Sequence, residues 1–220
     1  MSDATKRAPV VEQVPEQTTT RLSVYLRCLE RLHAAGVPAV SSAALAECCG
    51  LNGAIIRKDL AYFGEFGVRG VGYHVPALRQ HLRQILGLDR RSAVVIMGAG
   101  RLGSALAAYR GFRDDGFEVV ALFDTDPSRI GSSTRDGIPV CALDDLRAVV
   151  ERQGVVIAII AVPAGAAQEV LDLVVACGVR AVLNFSPGGL RVPAGVKVKN
   201  VDLTLSLESL SFFLAAGRGD

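Results

Sequence analysis

The segment from Ser92 to Asp124 constrains the fold of this chain more than any other. It reads SAVVIMGAGRLGSALAAYRGFRDDGFEVVALFD. An apolar run ends at the glycine-rich sequence Gly98–Gly103, a helical pattern follows, and a second apolar run over residues 117–123 ends at Asp124. This order is typical of a dinucleotide-binding βαβ unit, which consists of a strand, the motif G-x-G-x-x-G, a helix, and a second strand that ends at an acid about 20 residues after the last glycine.

Each glycine of this motif has a physical role. Gly98 permits the tight turn, Gly100 allows the backbone to approach a pyrophosphate, and Gly103 allows helix and sheet to pack closely. The helix that follows is predicted to continue to Tyr109. Its N-terminus would offer free N–H groups and the positive end of the helix dipole to phosphate groups.

Asp124 is the residue expected to select the coenzyme. Its carboxylate would accept hydrogen bonds from ribose hydroxyls and repel a 2′-phosphate, which favours NAD(H) over NADP(H). Glycine-rich turns also occur in α/β folds that bind no nucleotide, but here the strand, the helix and the acid are all in register. We therefore expect an NAD(H) site.

Composition limits the class of protein. Of the 220 residues, 50% are hydrophobic, yet no apolar run approaches the roughly 20 residues of a membrane span. The N-terminus lacks a basic-then-apolar signal pattern, so we expect a cytoplasmic protein. The five cysteines have no metal-site spacing and are expected to be reduced, mostly buried and not involved in redox sensing; they are Cys28, Cys48, Cys49, Cys141 and Cys177.

Charge differs between the two halves of the chain. Residues 1–91 contain 12 Lys and Arg against 8 Asp and Glu, a net charge of +4, whereas residues 92–220 contain 12 against 14, a net charge of −2. The first half is therefore the better candidate for contact with a polyanion.

The first half begins with a polar segment. Residues 1–17 contain two prolines and no hydrophobic periodicity, which is typical of a disordered tail. Threonines at positions 18–20 are expected to cap a helix that begins near Arg21, because leucines and a tyrosine then recur at helical spacing. Gly36 and Pro38 would end this helix.

Two short helices are predicted next. Ser41 and Ser42 open the first, Gly50 supplies the turn, and Asn52 caps the second, which runs to about Phe63. Two short helices joined by a glycine-containing turn are typical of a helix-turn-helix.

A glycine-rich segment follows the two helices. Two short β-capable pieces within residues 64–75 predict a β-hairpin, and Pro76 begins a fourth helix that ends at Gly87. Residues 18–87 are therefore predicted to form a winged-helix DNA-binding domain, and residues 88–91 a linker.

Beyond Asp124 the alternation of strands and helices continues. Strands are predicted at 138–140, 155–162, 181–185 and 196–200, and helices at 144–153 and 165–177. The continuous apolar run at 155–162 is expected for a parallel strand buried on both faces. Since such sheets bind ligands at the carboxyl ends of their strands, Val162 and Pro163 are candidate cofactor contacts. Residues 92–202 are therefore predicted to form a Rossmann NAD(H)-binding domain.

The C-terminal segment, residues 203–220, is predicted to form a helix with two apolar faces. Leu203, Leu207, Leu210 and Leu214 fall on one stripe, and Leu205 and Phe212 fall opposite. A surface helix of a monomer needs only one apolar face. Exchange of this helix between the subunits of a dimer would bury both faces; packing into its own chain's core is the alternative.

Several segments resemble the Rex family of bacterial redox-sensing transcriptional repressors. The resemblance covers about residues 18–214, in order through both domains. It is carried by Ile56–Leu60, Gly64–Gly67, Arg69–Tyr73, the Gly98–Gly103 loop with Ala105–Ala107 and Tyr109, Val162–Pro163, Leu183–Phe185 and Val201–Leu203. It implies a homodimer that binds operator DNA through winged helices, senses the NADH/NAD⁺ ratio and leaves DNA when NADH binds.

The resemblance also implies roles for individual residues of the DNA-binding domain. Arg57 and Lys58 would face DNA from the second helix of the helix-turn-helix, unless they form only a solvated helix face. Ser41 and Ser42 would hold phosphate, and Arg69 and Tyr73 would reach the minor groove or backbone from the wing; Asp59 would orient its neighbours. The full set is Ser41, Ser42, Arg57, Lys58, Arg69 and Tyr73.

On the sensor side, the resemblance implies a switch. It consists of Tyr109, Asp202 of the partner subunit and Arg27 of the first helix, in which the carboxylate changes partner when NADH binds. Plain packing for Tyr109 and a helix cap for Asp202 are the alternatives. The expected cofactor contacts are Gly98, Ala99, Gly100, Arg101, Leu102, Gly103, Tyr109, Asp124, Val162 and Pro163.

Two positions depart from the family pattern. Leu203 stands where many relatives have an aromatic residue that packs on nicotinamide, so discrimination between NADH and NAD⁺ is expected to differ. Ser186 replaces an alanine-like residue, and its hydroxyl would either face the cofactor or cap a turn.

Two other functions fit parts of the sequence. A small NAD-dependent dehydrogenase would need a general acid or base near the nicotinamide, but all three histidines lie in the first half, and Lys197 and Lys199 are the only lysines after residue 91. A regulator that binds CoA or another nucleotide is less well matched, because Asp124 suits a free ribose diol. We therefore expect a repressor that is not an enzyme and binds no metal.

Overall fold

The computed structural model describes residues 14–216, and the chain divides between Arg90 and Arg91 into two compact units. Most of the expected tail, residues 1–13, lies outside the described residues, as do residues 217–220. Within the described part, no helix is long and apolar enough to cross a membrane. The two units are described separately.

The N-terminal unit contains four helices and a small antiparallel sheet. The helices are α1 (Glu16–Ala34), α2 (Ser42–Cys49), α3 (Gly53–Ala61) and α4 (Val75–Ile85). The strands are β1 (Ala39–Val40), β2 (Gly67–Val68) and β3 (Gly72–His74), in the order β1-β3-β2. Helices α2 and α3 form the expected helix-turn-helix, and β2 and β3 form the wing.

Side chains from every helix of this unit meet in one core. Apolar contacts at helical spacing along α1 and α4 account for much of it, as their sequence periodicity indicates. The side chains that are at most 1% exposed include Leu22, Tyr25, Leu29, Leu45, Ile56, Leu78 and Leu82.

The N-terminal unit departs from expectation at the start of α1. The helix begins at Glu16 and not near Arg21, so residues 16 and 17 are helical and do not belong to a tail. The hydroxyls of Thr19 and Thr20 donate back to the Glu16 carbonyl from within the helix, at 2.8 and 3.2 Å. Threonine hydroxyls bond in this way inside helices as well as at caps, so the threonine run did not mark the boundary. Strand β1 was also not anticipated.

The C-terminal unit is a six-stranded parallel sheet with helices. Its strands are β4 (Ser92–Met97), β5 (Phe117–Asp124), β6 (Val140–Ala142), β7 (Val155–Ile160), β8 (Ala181–Asn184) and β9 (Lys197–Asn200), and its helices are α5 (Arg101–Ala107), α6 (Arg110–Asp114), α7 (Leu146–Gln153), α8 (Ala164–Ala176) and α9 (Leu203–Ala216). The strand order β6-β5-β4-β7-β8-β9 is that of a Rossmann sheet.

The central strands of this sheet are buried on both faces. Val95 and Met97 of β4 belong to one apolar cluster, and Val94 and Ile96 belong to another. Strand β7 places Ala158 and Ile160 in the first cluster and Ile159 in the second, which confirms the expectation from its apolar run for this part of the strand, whereas Val156 near its start is 50% exposed.

The predicted helix through Tyr109 is wrong. Helix α5 ends at Ala107, and Tyr109 adopts an extended conformation (φ −74°, ψ 107°) before α6 begins. The Tyr109 ring turns back over Gly111, where an added Cβ would lie 2.6 Å from it, and meets Phe112 edge-on at 5.1 Å. A side chain at position 111 would displace the Tyr109 ring from this position.

Strand β6 is displaced by two residues from the predicted 138–140. Proline has no N–H to donate to a ladder, and only the Pro139 carbonyl bonds β5, where it accepts from Leu122 N–H at 2.9 Å. Ile138 pairs with the preceding loop, where Thr134 N–H donates to the Ile138 carbonyl at 2.8 Å, and Pro139 forms a bridge with Ser133. The ladder with β5 therefore begins at Val140.

Helix α9 leaves both of its apolar faces uncovered. Seven large side chains are 59–69% exposed, namely Leu203, Leu205, Leu207, Leu210, Phe212, Phe213 and Leu214. The alternative that this helix packs into the core of its own chain is therefore wrong.

Candidate functional site

A cleft lies at the carboxyl ends of β4 and β7, where the strand order of the sheet reverses. Parallel sheets bind ligands at this position. The cleft has a volume of about 430 Å³, and its wall includes Gly98, Gly100, Arg101, Leu102, Asp124, Val162 and Pro163. The structure thus brings seven of the ten expected cofactor residues into one cavity.

Two glycines of the motif sit where no side chain fits. Gly98 has φ +103°, and a Cβ there would lie 2.6 Å from the Ala161 carbonyl oxygen. A Cβ on Gly103 would overlap the carbonyl oxygen of Gly98. These contacts seat α5 directly on the turn, as the motif predicts.

Gly100 has a different environment. An added Cβ would meet nothing closer than the Arg129 guanidinium, at 3.9 Å. The backbone here is therefore bare toward the cleft, which leaves room for a pyrophosphate to approach the chain.

The Asp124 carboxylate already holds three donors. Oδ2 accepts from Ala99 N–H at 2.8 Å and from Arg129 Nη1 at 3.0 Å, and Oδ1 accepts from Asp126 N–H at 2.9 Å. Burial alone would raise the pKa of Asp124, but the Asp126 and Ala99 amides and Arg129 outweigh it and hold the pKa below its usual value. The acid is therefore ionised and can accept ribose hydroxyls.

Arg129 is a cleft residue that the sequence analysis did not identify. It bonds Asp124, and its Nε lies 3.4 Å from Asp126. The sequence Asp124-Thr-Asp126-Pro-Ser-Arg129 contains the signal, because two acids and a cation follow directly after a strand that ends at a ligand site.

A buried polar network supports the opposite wall of the cleft. Ser186 Oγ donates to the Val162 carbonyl at 2.5 Å. Asn184 accepts from Ser186 N–H at 3.0 Å and donates to Asn200 Oδ1 at 2.9 Å. The Ser186 hydroxyl thus neither faces the cofactor nor caps a turn. It fixes the backbone of Val162, which precedes Pro163.

In the N-terminal unit, a second cleft of about 480 Å³ lies between the helix-turn-helix and the wing. Its wall includes Ser41, Ser42, Arg57, Arg69 and Tyr73. Ser41 Oγ caps α2 by accepting from Ala44 N–H at 3.0 Å, and Arg57 Nη1 donates to Ser42 Oγ at 2.8 Å. Both expected serines therefore line one cleft with the expected arginine of α3, and Ser42 bonds that arginine directly.

The remaining DNA candidates have unequal exposure. Lys58 on α3 and Arg69 on the wing are exposed. Tyr73 is only 6% exposed and packs in the core, and burial raises the pKa of its hydroxyl despite nearby Arg57. The expectation that Tyr73 reaches out from the wing is therefore wrong: its ring supports the wing from inside.

Asp59 anchors α3 to α1. Its buried carboxylate accepts two hydrogen bonds from Arg21, at 2.6 and 2.7 Å, and others from Tyr25 at 2.7 Å and Thr18 at 3.1 Å. Burial alone would raise the pKa of Asp59, but these donors hold it below its usual value. Asp59 thus orients the whole helix that carries Arg57, a network that the sequence did not reveal.

The three expected switch residues have separate environments in one chain. Arg27 is exposed on α1, and Tyr109 is 60% exposed beside Phe112. Asp202 Oδ1 accepts from Thr204 N–H at 2.8 Å and from Leu205 N–H at 3.2 Å, so this carboxylate caps α9. Exposure of Tyr109 argues against a plain packing role, whereas the capping role of Asp202 is present.

Groups suited to hydride-transfer catalysis are distant in sequence from the nucleotide cleft. His33, His74 and His81 belong to the N-terminal unit, and Lys197 and Lys199 are exposed on β9, at the edge of the sheet.

Comparison with known proteins matches both units. The family described as "Putative DNA-binding protein N-terminus" matches residues 13–61, and the family described as "CoA binding domain" matches residues 89–188. A redox-sensing transcriptional repressor Rex from Syntrophomonas wolfei subsp. wolfei is 52% identical over 205 residues, which cover 93% of this chain and 97% of that protein.

Two solved structures of RSP, a Rex-family repressor, also match. The complex of RSP with β-NAD⁺ and operator DNA has a TM-score of 0.88 and 36% identity, over 93% of this chain and 94% of that chain. The complex with β-NADH has a TM-score of 0.82 and 35% identity, over 94% and 96%. These matches run through both units and confirm the resemblance. The chain belongs to the Rex family of redox-sensing transcriptional repressors.

Proposed function

We propose that this protein is a homodimeric transcriptional repressor that senses the NADH/NAD⁺ ratio and leaves its operator DNA when NADH binds. The observation that carries this proposal is the match, through both units, to a repressor solved with β-NAD⁺ and operator DNA and with β-NADH. The proposed function is regulatory and not enzymatic, and it places the protein in the cytoplasm with the DNA that it binds.

The cleft between β4 and β7 fits the chemistry of NAD(H). The bare backbone at Gly100 and the adjoining loop would hold the pyrophosphate, and Asp124 would accept the ribose hydroxyls. Val162 and Pro163 would form an apolar wall, held in place by the Ser186 hydroxyl. Asp124 Oδ1 accepts from one donor only, so it keeps a lone pair for a ribose hydroxyl, whereas a hydroxyl that approaches Oδ2 would compete with Arg129.

The helix-turn-helix and wing supply the proposed DNA-binding face. Arg57 and Lys58 of α3 would enter the major groove, the usual position of the second helix of this motif. Ser41, Ser42 and Arg69 would contact the phosphate backbone and set the register, since phosphate contacts position a protein and base contacts specify the sequence.

A dimer explains the uncovered faces of α9. Two apolar faces on one helix need two surfaces to cover them, and exchange of α9 between subunits provides both. In the proposed switch, Tyr109 and Asp202 of the partner subunit would meet near the coenzyme, and Arg27 would be the alternative partner of that carboxylate. Charge-assisted bonds of this kind can bias a two-state dimer.

A second candidate ligand is CoA, because the family model that matches residues 89–188 is described as a CoA binding domain. Asp124 argues against CoA, whose ribose carries a phosphate group that a carboxylate would repel.

The test is a gel shift on a palindromic AT-rich operator with NADH, NAD⁺ and CoA as separate titrants. We expect NADH to release DNA at much lower concentration than NAD⁺, with no response to CoA. Linkage also requires that operator DNA weaken NADH binding by the same factor. An equal response to both coenzymes would contradict redox sensing, and release by CoA alone would favour the second candidate. In a separate assay, steady turnover of NADH with a small carbonyl compound would indicate an enzyme.

A further inference from the structure

Three of the five cysteines lie together in the N-terminal unit. Cys28 is on α1, and Cys48 and Cys49 end α2. The Sγ atoms of Cys28 and Cys49 are 3.1 Å apart, and Nη2 of Arg31 is 3.2 Å from the Sγ of Cys28. Nothing in the proposed repressor function uses this group of residues, which we call the thiol cluster, and the sequence alone predicted no redox role for it. Only Cys28 of the three is buried.

The surroundings make the thiols of the cluster chemically different. Burial alone would raise the pKa of Cys28, but hydrogen bonds from Cys49, Cys48 and Arg31 outweigh it, so that pKa lies below its usual value. Burial and the contact with Cys28 raise the pKa of Cys49 to about 12. A cation beside one thiol of a pair is the arrangement that favours a nucleophilic thiolate beside a protonated partner.

A surface cleft opens beside the cluster. The three cysteines, Arg27 and Arg31 line a shallow cleft of about 600 Å³ on the N-terminal unit. Cys28 itself is 1% exposed, so the cleft would admit a molecule of the size of hydrogen peroxide more readily than a bulky disulfide.

We propose that Cys28 and Cys49 form a redox-active pair that a hydroperoxide oxidises to an intramolecular disulfide. The Cys28 thiolate attacks one peroxide oxygen, the O–O bond breaks, and the leaving hydroxide takes a proton to become water, which leaves a sulfenic acid on Cys28. The Cys49 sulfur then attacks the Cys28 sulfur, the S–O bond breaks, and the hydroxyl leaves as water with the Cys49 proton. Overall two thiols lose two electrons and two protons, and one peroxide becomes two waters.

The geometry requires little movement. A disulfide needs about 2.05 Å between sulfurs, so the two Sγ atoms must approach by only about 1 Å from their 3.1 Å separation. Cys48 is exposed, and its Sγ lies 3.5 Å from Nη2 of Arg31. It therefore contributes to the polarity of the cluster, while Cys49 is the sulfur that already donates to Cys28.

The bond would tie α1 to the end of α2, next to the turn that leads into α3. It would close a chain loop between residues 28 and 49, which restricts the unfolded chain and stabilises the fold. This chemistry requires neither coenzyme nor DNA, so it would give the protein a redox input independent of the nucleotide cleft.

Mass spectrometry of the full-length protein tests the proposal. Trypsin cleaves after Arg27, Arg31 and Arg57, which places Cys28 in one peptide and both Cys48 and Cys49 in another. After treatment with hydrogen peroxide and alkylation, we expect these two peptides to be joined and lighter by two hydrogens. We expect the link to persist in Cys48→Ser and in the controls Cys141→Ser and Cys177→Ser, and to vanish in Cys49→Ser and Cys49→Ala.

Arg31 provides the kinetic test. Arg31→Gln should slow the link about three- to fourfold for each unit by which the pKa of Cys28 rises, because the tenfold loss of thiolate is partly offset by the greater nucleophilicity of a more basic sulfur. Arg31→Lys should retain most of the rate. The oxidised protein should also show a higher Tm than the reduced protein, with no such difference in Cys49→Ser. Sulfonic acid on Cys28 without a link, a link that needs Cys48, an Arg31→Gln rate equal to wild type, or an unchanged Tm would each overturn the proposal.

Discussion

Asp124 shows how one carboxylate can serve both the apo fold and a ligand. Its oxygens bond two backbone N–H groups and the Arg129 guanidinium. Oδ1, with one donor, can still accept a ribose hydroxyl, whereas a hydroxyl at Oδ2 would compete with Arg129, the only one of the three donors that belongs to a side chain. The two backbone donors keep the carboxylate aimed at the cleft.

At this residue we predict that Asp124→Ala weakens NADH binding by about 10- to 100-fold, since hydrogen bonds to charged groups contribute about 1.5–3 kcal/mol. Titration calorimetry measures the loss, and operator binding without coenzyme should persist. Glu169→Ala on α8 removes the same charge from an exposed site and serves as the control. Normal NADH affinity in Asp124→Ala would show that the cofactor assignment is wrong.

Asp59 gives a prediction that depends on pH. Asp59→Ala should lower the free energy of unfolding by about 2–3 kcal/mol at pH 7, below the upper range for buried ion pairs because Arg21 keeps 27% of its side chain exposed. The folded pKa of Asp59 lies below its unfolded value of about 3.9. Its stabilisation is therefore complete above that value and is lost as the pH falls through the folded pKa.

Urea unfolding of wild type and Asp59→Ala between pH 3 and pH 7 measures this dependence. The difference between the two proteins should be constant at neutral pH and shrink below about pH 4. A difference that grows on acidification would mean that the carboxyl group is stabilised in its protonated form.

At the scale of elements, helix α3 is held on two sides by neighbouring helices. Asp59 ties its inner face to α1, and Arg57 on the outer face bonds Ser42 of α2. We predict that Arg57→Ala abolishes operator binding, leaves NADH affinity unchanged and reduces the salt dependence of any residual binding. Arg135→Ala removes an exposed arginine from the C-terminal unit and should leave operator affinity intact.

The turn between β4 and α5 gives a second prediction at this scale. Gly103→Ala should destabilise the C-terminal unit and weaken NADH binding, because the new Cβ overlaps the Gly98 carbonyl and forces α5 off the sheet. Gly165→Ala is the matched control: it lies in α8 with open space around it, and alanine there should raise stability by up to about 1 kcal/mol. Equal melting curves for the two variants would contradict the close approach.

Hydrophobic periodicity and the flanking glycine and proline residues explain which helices and strands could be predicted from the sequence. Buried strands such as β7 and helices such as α4 follow from local patterns and flanking glycine or proline. The break at Tyr109 depends instead on a ring folding over Gly111, and the displaced β6 depends on a bridge between Ser133 and Pro139. Such contacts arise only after the chain has folded.

The same distinction applies to the candidate sites. The glycine motif and Asp124 lie at a characteristic spacing within one segment, so they can be recognised in the sequence. The structure brings them into one cleft. The Asp59 network joins residues about 40 positions apart, and the thiol cluster joins α1 to α2 across 21 positions. No local pattern predicts such pairs, and the burial of Tyr73 was equally invisible in its glycine-rich setting.

At the scale of the whole molecule, we propose that the uncovered faces of α9 form the dimer contact. We predict that the protein is a dimer by light scattering, with twice the 23.2 kDa mass of one chain. Leu207→Glu, which places a charge on an apolar face of α9, should yield monomers and lose cooperative operator binding. Glu208→Ala, one position away, should leave the dimer intact; a monomeric wild type that binds its operator tightly would contradict the proposal.

Helix α9 has a genetic consequence. If the subunits exchange their last helices, the dimer should dissociate slowly. Two alleles expressed in one cell would then form mixed dimers mainly while the chains are being synthesised. A subunit that cannot bind DNA, such as Arg57→Ala, would then inactivate the wild-type subunit in each mixed dimer. The variant would be dominant-negative, and repression would fall by more than the fraction of variant subunits in the cell. Removal of α9 from that same copy should relieve the interference, because it could no longer recruit the wild-type product.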